Sequence, residues 1–149
     1  IKIHIICIYM IQVVGAVLIK NSNIIMCRRS PSLKNFPNLF EFPGGKIEKN
    51  ETKKEALKRE LREELNINVN IDNIQEFEHN ESNHTIETNG RQINLTLFII
   101  KKWDGEIKIK EGIHSEIINI NIKNLYNVSD IIPGDSNFFP HIINHIVRV

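Results

Sequence analysis

The sequence predicts an α/β domain, a mixed β-sheet between helices, and three observations predict it. Apolar runs rich in Ile and Val recur between polar turns, which is the signature of strands. The segment Lys53–Leu65 carries leucines at helical period behind a capping box, and Phe139–Val147 reads as a final helix. Strands flanking two helices in a chain of 149 residues make one domain with room for a proper core.

Taken in order, residues 11–19 read as a strand, 20–23 as a polar turn and 24–29 as the partner strand. Residues 30–38, with Pro31 and Pro37, read as a loop. A short strand over 39–42 feeds a Pro43-Gly44-Gly45 turn, where absent side chains let backbone approach a ligand closely. Thr52 followed three residues later by Glu55 starts the helix at Lys53. Leu57, Leu61 and Leu65 form its apolar stripe, and Asn66 stands where a left-handed cap falls.

Beyond the helix, Ile67, Val69 and Ile71 alternate as in a strand, and 74–83 continues as strand. Asn89-Gly90 is a hairpin signal leading into a long apolar strand over 92–103, closed by Asp104-Gly105. Short extended pieces over 107–110 and 117–120 precede a helical turn over 122–126. There is no internal repeat.

Composition is that of a soluble globular protein, 41% hydrophobic and 25% charged. A formal net charge of +1 supplies no global basic field, which argues against a nucleic-acid polymer as partner. Cys7 and Cys27 show neither metal spacing nor a disulfide framework, which fits a reducing compartment. Residues 1–19 are apolar but broken by Lys2, His4 and Gln12, and no membrane association is expected. Residues 1–9 are read as an N-terminal extension or leader, and 10–149 as the domain. The expected location is cytoplasmic, or organellar if 1–9 belong to a leader.

The polar face of the helix is unusual. Glu60, Glu63 and Glu64 at i, i+3 and i+4 lie side by side, in the last turn where the macrodipole is already negative. Each effect disfavours the helix by a few tenths of a kcal/mol. Either Arg59 and Arg62 compensate a solvated charged face, or the carboxylates gather for a hard divalent cation.

From Gly45 the order is Gly, five residues, Glu51, seven residues, then Arg59-Glu60-Leu61-Arg62-Glu63-Glu64-Leu65-Asn66-Ile67. This resembles the Nudix box, which ends Arg-Glu-apolar-x-Glu-Glu-x-Gly-apolar. Asn66 is the single departure. The preceding Glu41-Phe42-Pro43-Gly44-Gly45-Lys46 is similar to MutT-type members, the nucleotide-pool sanitising diphosphatases of DNA repair. The resemblance implies a Nudix fold, an α/β/α sandwich. It also implies Mg²⁺-dependent hydrolysis of nucleoside triphosphates to monophosphate and pyrophosphate, with Mn²⁺ able to substitute.

By that resemblance Glu60, Glu63 and Glu64, with the Gly44 carbonyl, are metal ligands. Glu51 braces the loop, and Arg59 pairs with a box carboxylate. Glu111 is a further metal ligand or the general base, or else an ordinary loop Glu, with Glu116 as its competitor. Arg29 approaches the phosphates or is an exposed strand-end charge, and Arg91 is a second nucleotide-side Arg. Glu41, Phe42, Pro43, Gly44 and Gly45 line the nucleoside side. Asp135 reads the base, caps a helix, or does both; Gly134 replaces a second acid usual at that segment. The favoured substrate is an oxidised purine such as 8-oxo-dGTP. The alternatives are CTP or a modified pyrimidine triphosphate, and a catalytically silent module that binds nucleotide or RNA. The partner is a small-molecule nucleotide, and the assembly a monomer or homodimer.

Overall fold

A computed structural model describes residues 10–77, 83–88 and 91–147. The expected extension over 1–9 and the Asn89-Gly90 signal lie outside the described residues. Strand β1 (Met10–Lys20) and strand β2 (Asn23–Arg29) form a hairpin. Its two loop residues, Asn21 and Ser22, have φ of 53° and 62°, the positive values whose twist suits a two-residue turn.

The hairpin then splays, and this positions the site. β1 and β2 pair through Leu18↔Ile25, Ile19↔Ile24 and Lys20↔Asn23. Beyond that point β3 (Phe40–Glu41) pairs with β2, and β4 (Gly44–Lys46) pairs with β1. Residues 40–46 thus fill a wedge between two diverging strands, and the Pro43 carbonyl accepts the Ala16 N–H at 2.8 Å. The opposite edge of β1 runs parallel to β7 (Arg91–Ile100), from Met10↔Gln92 to Leu18↔Ile100. β5 (Ile74–Gln75) and β6 (Asn83–Thr88) lie antiparallel to β7, and β8 (His114–Asn121) antiparallel to β2. One parallel pair among antiparallel ones makes the sheet mixed.

Strand alternation distributes the core to two faces. Val14, Ala16, Leu18, Ile25, Cys27, Phe98 and Ile100 meet Ala56, Leu57, Leu61 and Leu65 of helix α1 (Lys53–Leu65). Val17, Ile19, Ile24, Met26, Leu97 and Ile99 pack on the other face with Phe138, and with Phe139 and Ile142 of helix α2 (Phe139–Val147). Each such Leu or Ile contributes roughly 1.5–3 kcal/mol by burial, so both helices are held by the sheet rather than by propensity. The expected α/β/α sandwich is observed.

Several boundaries differ from expectation. Gly44 and Gly45 belong to a strand rather than a turn, because β1 offers its free edge to them. The alternation at 67–71 is not a strand. Asn68 makes one bridge to Asp104, and the Asn70 side chain accepts the Asp72 N–H at 3.0 Å, starting a 3-10 turn over Ile71–Asn73. Of the strand expected over 74–83, Ile74–Gln75 and, separately, Asn83 are strand, Glu76 and Phe77 are not, and 78–82 lie outside the described residues. The long strand ends at Ile100 rather than Trp103. Residues 107–110 are not strand either; the Lys108 N–H instead caps the Leu65 carbonyl at the end of α1 at 2.9 Å. The piece at 117–120 is part of the longer β8, and the helical turn is 3-10 over Ile122–Asn127. No helix of the described residues is long and apolar enough to cross a membrane.

Candidate active site

Helix α1 starts and stops where its sequence directs. Thr52 Oγ1 accepts the Glu55 N–H at 3.2 Å and Glu55 accepts the Thr52 N–H at 2.8 Å, closing the capping box. Asn66 ends the helix in the left-handed conformation (φ 59°). This fixes the azimuth of every carboxylate on the polar face.

Arg59 organises them. Its Nε and Nη2 donate to Glu51 at 2.7 and 2.8 Å, and its Nη1 to Glu60 at 2.8 Å and Glu63 at 3.3 Å. Nη2 also donates to the Lys46 carbonyl at 3.0 Å, tying the helix to β4. The Arg59 bonds hold Glu51 below the usual carboxylate range, and the Glu51 bond in turn raises Arg59. Glu51 accepts the Glu48 N–H at 2.8 Å as well, so it braces the loop as expected.

Two glycines bring the strands onto this cluster. A Cβ on Gly45 would meet both Glu60 carboxylate oxygens at 2.6 Å, and one on Gly44 would collide with the Val14 carbonyl oxygen. Only glycine therefore lets β4 lie against both β1 and the helix carboxylates. Glu64 neighbours Glu60 and lines the cleft. It is half-buried, its Oε2 is shut from solvent without a hydrogen-bond partner, and its pKa is pushed up to about 8. Burial is the largest cause, followed by the charges of Glu60 and Glu41.

Glu64 lies at a cleft of about 720 Å³. Seven of the eight residues predicted on the substrate side line it: Arg29, Glu41, Phe42, Gly44, Gly45, Arg91 and Asp135. Pro43 does not; its carbonyl is taken by Ala16. Apolar lining comes from Val13, Ile93 and Leu95 of the sheet and from Phe36 of the 30–39 loop. Buried Asp135 is not an N-cap. Gly134 precedes the 3-10 turn (Asp135–Phe138), and Asp135 Oδ2 instead accepts the Phe42 N–H across the cleft wall at 2.9 Å. Burial lifts Asp135 well above the usual carboxylate range, favouring its protonated form.

Arg29 is a half-buried, paired residue rather than an exposed strand-end charge. Its Nη1 donates to Glu41 at 3.0 Å, while Nε and Nη2 donate to the Asn35 carbonyl at 3.1 and 2.9 Å. The sequence did not anticipate His114, whose Nε2 lies 3.0 Å from Glu41 Oε1. No local pattern marks it, because its partner is 73 residues away in the chain. Buried Cys27 is kept a neutral thiol, raised by burial and by Glu41 and Glu64.

Glu63 is largely exposed and faces Arg59, not the cleft. Glu111 is exposed on the turn before β8 and does not line the cleft, and Glu116 pairs with Arg28 at 2.8 Å. Among the described residues no three acidic, His or Cys side chains converge as a ready metal cage. Carboxylates without a cation repel, and here Arg59 supplies the countercharge to Glu60 and Glu63. The donor set nonetheless fits a hard divalent ion. Oxygen ligands are what Mg²⁺ takes, Glu64 keeps one oxygen unpartnered, and burial with the charges of Glu60 and Glu41 outweighs Arg29 in disfavouring its charged form.

The NUDIX domain profile matches residues 10–142. The chain belongs to the Nudix family. It is 33% identical over 102 residues to the CTP pyrophosphohydrolase of Escherichia coli (strain K12), covering 68% of this chain and 70% of that protein. It is 32% identical over 102 residues to the 8-oxo-dGTP diphosphatase of Proteus vulgaris, covering 66% and 81%. The solution structure of the E. coli ORF135 protein superposes with a TM-score of 0.76 at 27% identity, over 92% of this chain and 91% of that one. This Nudix protein is thus a hydrolase of the MutT-like type, an enzyme rather than a silent binding module. Enzymes of the family act on small nucleotides and generally need divalent ions.

Proposed function

We propose that this Nudix hydrolase cleaves nucleoside triphosphates to monophosphate and pyrophosphate, with Mg²⁺ as cofactor and an oxidised purine such as 8-oxo-dGTP as favoured substrate. The observation that carries the reading is one cleft lined together by Glu64, the Gly44-Gly45 strand, Phe42 and buried Asp135. Glu60, Glu64 and the Gly44 carbonyl would hold the ion, with Glu63 adding charge. When bound, Mg²⁺ neutralises polyphosphate charge and acidifies a water. Arg91, and Arg29 once released from Asn35, are among the cations that line the cleft and are available to phosphates. A protonated Asp135 offers both a donor and an acceptor to a base edge while its Oδ2 is held by Phe42.

A cytosine edge also places a donor, N4–H, beside an acceptor, N3, and the 33% identity to a CTP pyrophosphohydrolase favours that second reading. Pyrophosphate release across a panel of triphosphates separates them. A kcat/KM for 8-oxo-dGTP at least about tenfold above that for CTP is expected, roughly 1.4 kcal/mol of discrimination. Equal values would remove the sanitising role.

Glu111 is retained as the carboxylate that serves the water. It sits two residues before Ile113, which lines the cleft and whose carbonyl accepts the Ser30 N–H at 2.9 Å. Glu111→Gln is expected to lower kcat by about 10²-fold, as for a lost acid–base group, with Tm unchanged. Undiminished kcat would leave Glu111 an ordinary loop residue.

A further inference from the structure

We propose that His114 is a positioning residue for nucleotide binding, its imidazole Nε2–H holding the Glu41 carboxylate in the cleft wall. The inference rests on the reading that this cleft takes a nucleotide.

His114 opens β8, an otherwise largely exposed strand, yet its side chain is fully buried (0% exposed). An apolar side chain would close the same space without polar cost. Nε2 lies 3.0 Å from Glu41 Oε1, and the Arg29 Nη1 lies 3.2 and 3.0 Å from the two Glu41 oxygens. A carboxylate paired with Arg29 only accepts, so Nε2 carries the proton. Nδ1 is then left buried with no hydrogen-bond partner. An unpartnered buried nitrogen lowers stability, and it persists here because the opposite nitrogen is needed on Glu41.

Glu41 needs that second anchor. Its other partner, Arg29, is shared with the Asn35 carbonyl and so is tied to the 30–39 loop. His114 comes from the sheet: it is the cross-strand partner of Arg29, beside a bulge between Arg28 and Arg29, and the Ser30–Ile113 bond fixes the start of β8. Glu41 is therefore held between one anchor that follows the loop and one that does not. Glu41 adjoins Phe42, which Asp135 grips, so its rotamer sets the shape of the nucleoside wall. His114 touches no reacting group, and its loss acts on binding rather than on the chemical step.

The test compares His114→Leu, His114→Gln and His114→Asn in steady-state pyrophosphate release and in calorimetric Kd for 8-oxo-dGMP and CMP. Gln can place a donor where Nε2 stands; Asn places one only where Nδ1 stands. His114→Leu and His114→Asn are expected to raise KM and Kd about tenfold with kcat within about twofold, and His114→Gln to restore both within about threefold. On a Glu41→Gln background, His114→Leu should add no further loss.

Wild-type KM and Kd in His114→Leu, with only Tm lowered, would make His114 a packing residue and overturn the proposal. Should the Leu variant not fold, the Gln and Asn variants decide, and equal behaviour of those two overturns it. A wild-type chain that hydrolyses no triphosphate refutes the proposed reaction, while the monophosphate Kd series still decides His114. If monophosphate binding is too weak to read, the KM series decides His114, and absence of both turnover and monophosphate binding overturns both.

Discussion

Glu64→Gln is expected to remove turnover and at the same time to stabilise the metal-free protein. The activity loss should be on the order of 10³-fold, the range for deleting a group that acts on developing transition-state charge. The stability gain follows from linkage. In the metal-free fold the Glu64 pKa is raised from 4.5 to about 8, so the folded state binds the proton more tightly than the unfolded chain. Stability is therefore lost as pH rises from about 4.5 through about 8, the opposite of a salt-bridged carboxylate. Gln carries no charge and removes the loss, worth about 2 kcal/mol near neutrality after allowance for partial exposure, or roughly 5 °C in Tm. Differential scanning calorimetry across this pH range, with and without Mg²⁺, reads it. Mg²⁺ should raise the wild-type Tm above neutrality and leave Glu64→Gln almost unmoved. A variant that keeps its turnover, or a wild type whose Tm ignores Mg²⁺, removes Glu64 as a ligand.

Arg59→Ala should damage both stability and rate. The guanidinium satisfies Glu51, Glu60, Glu63 and the Lys46 carbonyl together. Removing it leaves Glu51 and Glu60, each under one-fifth exposed, without a countercharge beside Gly45. A fully buried pair broken in this way is strongly destabilising; with solvent reaching this one, a smaller loss, read as a lower urea midpoint, is expected. Turnover should fall roughly 10–100-fold, the effect of losing a residue that orients metal ligands. Arg59→Lys keeps the charge but not the planar fork, so most of the rate should stay lost while part of the stability returns. Equal rates in Lys and Ala variants would support the geometric role; wild-type rates in both would refute it.

The parts of this protein legible in the sequence are those whose partners lie within a few residues. The capping box at Thr52 and Glu55, the Leu57-Leu61-Leu65 stripe and the Asn66 cap are contained in a single helix, and all appear where expected. The Glu51–Arg59 brace spans eight residues and was legible through a box with fixed spacing. Where the competing interaction was distant, local pattern failed. Ile67, Val69 and Ile71 alternate like a strand, yet Asn70 turns the chain and only Asn68 finds a partner, at Asp104. Gly44 and Gly45 read as a turn until β1, some 30 residues earlier, is seen to leave an edge for them.

Local spacing is enough to specify the helix and its carboxylate face, while resemblance to the Nudix pattern names the residues that could meet a nucleotide. Period and spacing are properties of a helix on its own, and so need no knowledge of what packs against it. Tertiary structure alone decided which of those groups are charged, paired or free. Pairing depends on the splayed β1–β2 wedge, which brings Glu41, Glu64 and Asp135 to one cleft, lends Arg29 to the loop, and recruits His114, which no local pattern marks, from the start of β8. Desolvation and charge proximity act through space, and a linear chain does not specify distances between residues until it has folded.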